Sequence, residues 1–212
     1  AAEYGARDSE NAFRAGPLLV IAGAGTGKTM TLAHRVAHLI ISGVSPERIL
    51  LLTFTRRAAQ EMTRRVDAIV RQAMAANDSP SLPSGVLPWS GTFHSIANRL
   101  LRRYAANLGL DPGFSILDRG DAADMLDVVR HELALSKKSR RFPKKDTCLA
   151  IYSRCVNTQG KIEDVLQATY PWCLDWESEL RELFRQYVLR KQQNQALDYD
   201  DLLLYWSHLV AE

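Results

Sequence analysis

The chain has 212 residues, 46% of them apolar and 24% charged, with a formal net charge of +3. These are ordinary globular proportions, enough for a sizeable core, and they exclude collagen-like, mucin-like and wholly disordered classes. The longest apolar runs, such as Leu18 to Ala22 and Leu202 to Trp206, and shorter ones such as Ile49 to Leu52, fall far short of the roughly 20 residues a bilayer span needs, and no signal-peptide pattern opens the sequence. A cytoplasmic protein with no membrane insertion is expected.

Residues 1 to 17 hold small and charged residues without a sustained period, so a weakly structured leading segment is expected, ending at Gly16 and Pro17. Leu18 to Ile21 reads as a short buried strand, followed by a helix with Leu32, Val36, Leu39 and Ile40 on one face. Ile49 to Phe54 reads as a second buried strand and Ala58 to Met74 as its helix. After a Ser- and Pro-rich loop, Asn77 to Pro88, the pattern repeats with a strand at Trp89 to Phe93 and a helix at Ser95 to Leu108. Strands alternating with helices predict an α/β domain with a parallel sheet and right-handed crossovers.

Beyond Gly109 the periods are helical at Asp121 to Leu135, Thr147 to Val156, Ile162 to Ala168 and Glu177 to Gln193, with no convincing strand between them. The chain therefore divides into a sheet-bearing part, 1–108, an inserted all-helical subdomain, 109–195, and a return helix, 196–212, opened by Asp198, Asp200 and Asp201. The aromatic residues Trp172, Trp176, Tyr187 and Trp206 read as core packing. Cys148, Cys155 and Cys173 are too few and too far apart for a disulfide framework and read as reduced packing residues. Up to Tyr104 there are 13 basic and 7 acidic residues, and beyond it 14 and 17. The first part is thus the half suited to a polyanion.

The sharpest chemical signal is Ala22-Gly23-Ala24-Gly25-Thr26-Gly27-Lys28-Thr29, between an apolar run and a helix. Glycines let successive backbone N–H groups face one anion, and the helix that follows adds its positive end and unpaired donors. In such a loop Lys28 reaches the β/γ oxygens of a nucleoside triphosphate, and the Thr29 hydroxyl ligates a bridging Mg²⁺. A second metal acid is missing. Asp118, after Phe114 to Leu117, has the best generic placement but reads better as a surface turn acid, and Asp200 and Asp201 read as helix-opening carboxylates.

Three more segments, in order with that loop, resemble the UvrD/Rep family of superfamily-one DNA helicases: Ile49 to Ala59 with Thr53-Phe54-Thr55-Arg56-Arg57, then Gly91-Thr92-Phe93-His94-Ser95, and Ala196 to Leu203 with Asp198-Tyr199-Asp200-Asp201. The resemblance implies a RecA-like P-loop NTPase domain carrying an inserted helical subdomain, with ATP and Mg²⁺ at residues 22–29. It also implies single-stranded DNA across the ends of the second and third strands. There Phe54 and Phe93 can offer ring faces to bases, and Thr53, Thr55, Thr92 and His94 can bond phosphate or sugar oxygens. Arg56 and Arg57 add charge that releases counterions. Taken singly, the two phenylalanines also fit core positions and the arginines a solvated helix face.

The chain departs from the family's pattern in two places. Where the family reads adenine with a glutamine stands Arg7, with no Gln before Gln60, and the family's Asp-Glu metal acid does not appear. The expected reading is a monomeric amino-terminal fragment of an ATP-dependent DNA helicase of repair or replication, whose second motor domain would lie in the rest of a longer chain and which would be inactive alone. Lys137, Lys138, Arg140, Arg141, Lys144 and Lys145 are candidates for duplex phosphates at a fork. The alternatives are a helicase-nuclease subunit of the same family and a P-loop phosphotransferase.

Overall fold

The computed structural model describes residues 2–7, 13–14, 16–76, 87–135 and 142–211. It is a mostly helical α/β chain with short parallel sheets, and it divides into two compact units, Ala1–Ile96 and Ala97–Glu212. The Ser- and Pro-rich loop at 77–86 and four of the six clustered basic residues, Lys137, Lys138, Arg140 and Arg141, lie outside the described residues.

In the first unit two short strands, β1 (Ala6–Arg7) and β2 (Phe13–Arg14), pair antiparallel. The core is built by α1 (Lys28–Ile41) and α2 (Arg56–Ala75). α1 contributes Ala33, Val36, Ala37 and Ile40, and α2 contributes Met62, Val66 and Val70, each set at helical spacing, so the two apolar stripes meet. Fully burying one such aliphatic side chain stabilises by about 1.5–3 kcal/mol. β3 (Leu51–Thr53) and β4 (Ser90–Thr92) form a parallel pair in the register Leu51↔Ser90, Leu52↔Gly91, Thr53↔Thr92. A hydroxyl pair, Thr63 Oγ1 and Ser90 Oγ at 2.7 Å, ties α2 to β4.

The strand expected at Leu18 to Ile21 does not form, and the three-stranded parallel sheet is reduced to the β3–β4 pair. The segment keeps a strand's alternation: Leu18 and Val20 turn toward α1, while Leu19 and Ile21 are 82% and 87% exposed. A buried strand needs ladder partners for its N–H and C=O groups and cover on both faces, and Leu18 to Ile21 has neither among the described residues. Leu32, expected on the core face of α1, is likewise exposed, because the stripe that meets α2 runs through Ala33 and Val36 instead.

The second unit holds α3 (Phe93–Arg103, which starts in the first), α4 (Arg119–Glu132), α5 (Lys145–Thr158), α6 (Ile162–Thr169), α7 (Glu177–Gln193) and α8 (Tyr199–Ala211). Outside the stretch from Asp121 to Gln193, where no strand was expected, β5 (Ser115–Ile116) pairs in parallel with β6 (Ala196–Leu197). Two-residue strands carry no readable period, and their partners lie far apart in sequence. Asp118, weighed above as a metal acid, is the N-cap of α4. It accepts from the Asp121 N–H at 2.9 Å while Asp121 accepts from the Asp118 N–H in return.

The main core gathers α4 to α7, with Leu126, Ile151, Leu166, Leu180 and Leu183 at its centre. Trp176 packs edge-on against Phe142 at 5.4 Å, as expected of a core aromatic. Trp172 does not, being 67% exposed. Both tryptophans lie on the 3-10 turn Pro171–Trp176, where residues three apart eclipse; Cys173 and Trp176 take the inward positions and leave Trp172 outside.

One polar cluster is fully enclosed. Lys191 donates to the Tyr152 hydroxyl at 3.0 Å, to Asp198 Oδ2 at 2.7 Å and to Asp201 Oδ2 at 2.5 Å, and the Tyr187 hydroxyl donates to Asp198 Oδ2 at 2.9 Å. Asp198 and Asp201 also cap each other's backbone at the start of α8. Burial pushes the Asp201 carboxyl up against the pull of Lys191, while burial alone would lower Lys191 and the two facing carboxylates hold it above its ordinary value.

Candidate nucleotide and nucleic-acid site

Residues 22–27 run into α1 as an open loop. Gly25 and Gly27 have φ of 76° and 83°, the left-handed region that side chains with a Cβ adopt only under strain, so these two positions need glycine. Gly27 is the N-cap of α1, which carries no capping side chain and no acid in its first turn. Its first N–H groups have no intrahelical acceptor and lie beside the positive end of the helix dipole. Lys28 folds back over the loop, donating to the Ala22 carbonyl at 2.8 Å and to the Gly23 carbonyl, and Thr26 Oγ1 closes the turn on Gly23 O at 2.8 Å. Ala24 and Thr29 are exposed. A cavity of about 420 Å³ opens beside Lys28, lined by Leu18, Val20, Leu32 and Arg35 among others.

At the other group of predicted residues the parallel register sets Thr53 beside Thr92, so both chains leave the ladder at the same level. The next residues are Phe54 and Phe93, whose ring centres are 5.5 Å apart at 39°. Phe54 is 91% exposed, which removes the core-aromatic reading for it; Phe93 is half-buried beneath. Apart from its contact with Phe93, the Phe54 ring is open to solvent.

The threonines divide by what their hydroxyls already do. Thr55 Oγ1 accepts from the Ala58 N–H at 3.1 Å as the N-cap of α2, and Thr92 Oγ1 accepts from the Ser95 N–H at 3.2 Å at the start of α3. Each keeps its own O–H for an outside acceptor. Thr53 Oγ1 donates to the Thr55 carbonyl at 3.2 Å, so its proton is spent on the turn. Arg56 and Arg57 are exposed in the first turn of α2, which holds no acid, and His94 is exposed on α3. Cations at a helix start are disfavoured by the dipole, by typically 0.3–1 kcal/mol each. The local electrostatics thus favour an anion from outside.

Gly91, named above within its segment but given no role, is structural. It is buried, and a Cβ there would stand 2.5 Å from Ser95 Oγ and 3.4 Å from Ile96, so glycine lets the first turn of α3 close onto β4. Ser95 completes that turn by donating to the Thr92 carbonyl at 2.9 Å. The signal was available: a lone glycine inside a strand marks a close backbone approach. Of the basic stretch at 137–145, Lys144 and Lys145 are described, and Lys145 is already paired with Asp124.

Residues 6–212 match the UvrD/REP helicase N-terminal domain. The chain is 35% identical over 192 residues to the ATP-dependent DNA helicase PcrA of Staphylococcus epidermidis, covering 89% of this chain and 24% of that protein. The PcrA proteins of Bacillus subtilis and Leuconostoc citreum are 34% and 33% identical over 190 residues, at 89% of this chain and 23% of theirs. The chain thus spans about a quarter of the length of the curated relatives it matches.

Proposed function

Since this chain belongs to the family of UvrD/REP helicase N-terminal domains, we propose that it is the ATP- and single-stranded-DNA-binding part of an ATP-dependent DNA helicase. The relatives' name supports that activity, and neither a phosphotransferase nor a helicase-nuclease is favoured by them. One observation carries the DNA half of the reading: the open Phe54 ring beside Phe93, at the level where two parallel strands end, over two helix starts that hold no acid, one of them with Arg56 and Arg57.

In this reading residues 22–29 belong to a RecA-like P-loop domain, 1–108, into which the helices of 109–195 are inserted before the chain returns at 196–212. The backbone N–H groups of the loop and of the α1 start receive the phosphates, and Lys28 leaves the Ala22 and Gly23 carbonyls for the β/γ oxygens. Thr29, exposed in the first turn, is the Mg²⁺ ligand this chain offers, and the ion would neutralise charge on the same phosphates. Bases stack on Phe54, with Phe93 supporting it. Thr55, Thr92 and His94 bond the backbone, Arg56 and Arg57 supply charge, and Thr53 holds the turn that presents them. The partners are single-stranded DNA, a fork duplex near Lys144, and a second motor domain of a longer protein acting in the cytoplasm, and the chain itself is monomeric.

Titration of the purified chain with a fluorescent ATP analogue and Mg²⁺ tests the nucleotide half. Lys28→Ala removes a charge-assisted bond worth about 1.5–3 kcal/mol, so affinity should fall on the order of 10- to 100-fold with unfolding unchanged. Equal affinity of variant and parent would refute the loop's role.

A further inference from the structure

The exposed face of α2 carries arginines at every second turn. Arg57, Arg64 and Arg71 are seven residues apart, so they fall on one line along the helix, about 21 Å from first to last. Arg57 is exposed, and the side chains of Arg64 and Arg71 are 76% and 57% exposed. The line starts in the first turn of α2, two residues past the Thr55 cap and three past Phe54, and leads away from them.

Two acids on the helix hold these cations, with unequal grip. Glu61 takes Arg64 at 2.9 Å and Arg65 at 2.7 Å, and these bonds hold its carboxyl down at about 2, so it is ionised at any physiological pH. Asp67 stands 4.0 Å from Arg71, at the limit of an ion pair. Arg57 has no acid in its turn. The face keeps a net positive charge, and its spacing matches repeated anions on a flexible polymer better than one small ligand.

We propose that Arg57, Arg64 and Arg71 form a phosphate track along α2 that holds the backbone of the single strand after it leaves the Phe54 ring. The proposal rests on the single-strand reading of that site and extends it: the bound strand is longer than the strand-end contacts alone require. Bases stack at Phe54, and the track grips phosphates without reading bases.

The test compares oligothymidylates of about 4 and about 16 nucleotides by fluorescence anisotropy across a salt series. With the long strand, Arg64→Ala combined with Arg71→Ala should lower the slope of log affinity against log salt by about 0.7 per arginine, and with the short strand it should change nothing. Lysine at both positions should restore most of the long-strand slope. Both sites are exposed and alanine favours helix, so circular dichroism should show an intact fold. Parent-like long-strand binding by the double alanine variant overturns the track, as does an equal loss with both strands. Phe54→Ala separates the two claims. If it weakens both strands while the arginine variant is silent, the site stands and the track falls. If it is silent while the arginine variant weakens only the long strand, the track stands and the site reading falls.

Discussion

The helix starts of the two units are built on opposite electrostatic plans. α1, α2 and α3 open without an acid in the first turn, whereas α4 carries Asp121, α5 Asp146, α6 Glu163 and Asp164, α7 Glu177 and Glu179, and α8 Asp200 and Asp201. Carboxylates at a helix start stabilise it locally, so the later helices satisfy themselves. Arg181 bridges Glu163 and Glu177, Arg185 bonds Glu182, and Lys191 sits between Asp198 and Asp201. The earlier helices instead place Lys28, Arg56, Arg57 and His94 at positive ends. The contrast teaches that the helix starts of the second unit carry their own carboxylates, while those of the first carry none and would gain from an anion supplied from outside.

The contrast can be broken most sharply at Lys191. Lys191→Met leaves two buried carboxylates facing each other and should cost about 3–5 kcal/mol in urea unfolding, while the strand ends of the first unit keep their affinity for single strands. A loss below about 1 kcal/mol would mean that the second unit does not depend on its internal pairing. Asp118→Ala removes one side of the α4 capping box and should cost about 1 kcal/mol by the same measurement.

Arg56→Glu sharpens the comparison because its two effects oppose. An acid at the start of α2 should raise thermal stability by about 0.3–1 kcal/mol and weaken single-strand binding. A variant that gains neither stability nor a binding defect would show that this helix start is not reserved for an anion.

The smallest effect concerns the thiols. Burial pushes Cys148 up to about 12 and also raises Cys155 and Cys173, so all three are protonated near neutral pH. Cys155, half-buried, should label first with a maleimide, and Cys148 and Cys173 only on unfolding. Mass spectrometry of native protein reads that order; simultaneous labelling would mean the second unit opens more readily than its packing implies.

Much of the proposed site was legible in sequence because the features that suggest a phosphate-binding loop are local. Glycines at 25 and 27, a lysine and a threonine at the helix start depend on neighbours within a few residues. The roles of Thr53, Thr55 and Thr92 were not legible: their residue type fits donor or cap equally, and the division between them follows from which hydroxyl proton the turn consumes. The openness of Phe54 was also out of reach, since an aromatic at the end of an apolar run fits a core as well as a surface.

The sequence by itself determined the helices, the glycine-rich loop before α1 and the division of charge between the halves, because periodicity, glycine spacing and charge are written within short windows. Tertiary structure alone decided which apolar segments become strands. Leu51 to Thr53 found a ladder in Ser90 to Thr92, and Ser115–Ile116 found one in Ala196–Leu197, while Leu18 to Ile21 found none among the described residues. A strand is completed by hydrogen bonds to a distant segment, so its own residues cannot carry the information that fixes it.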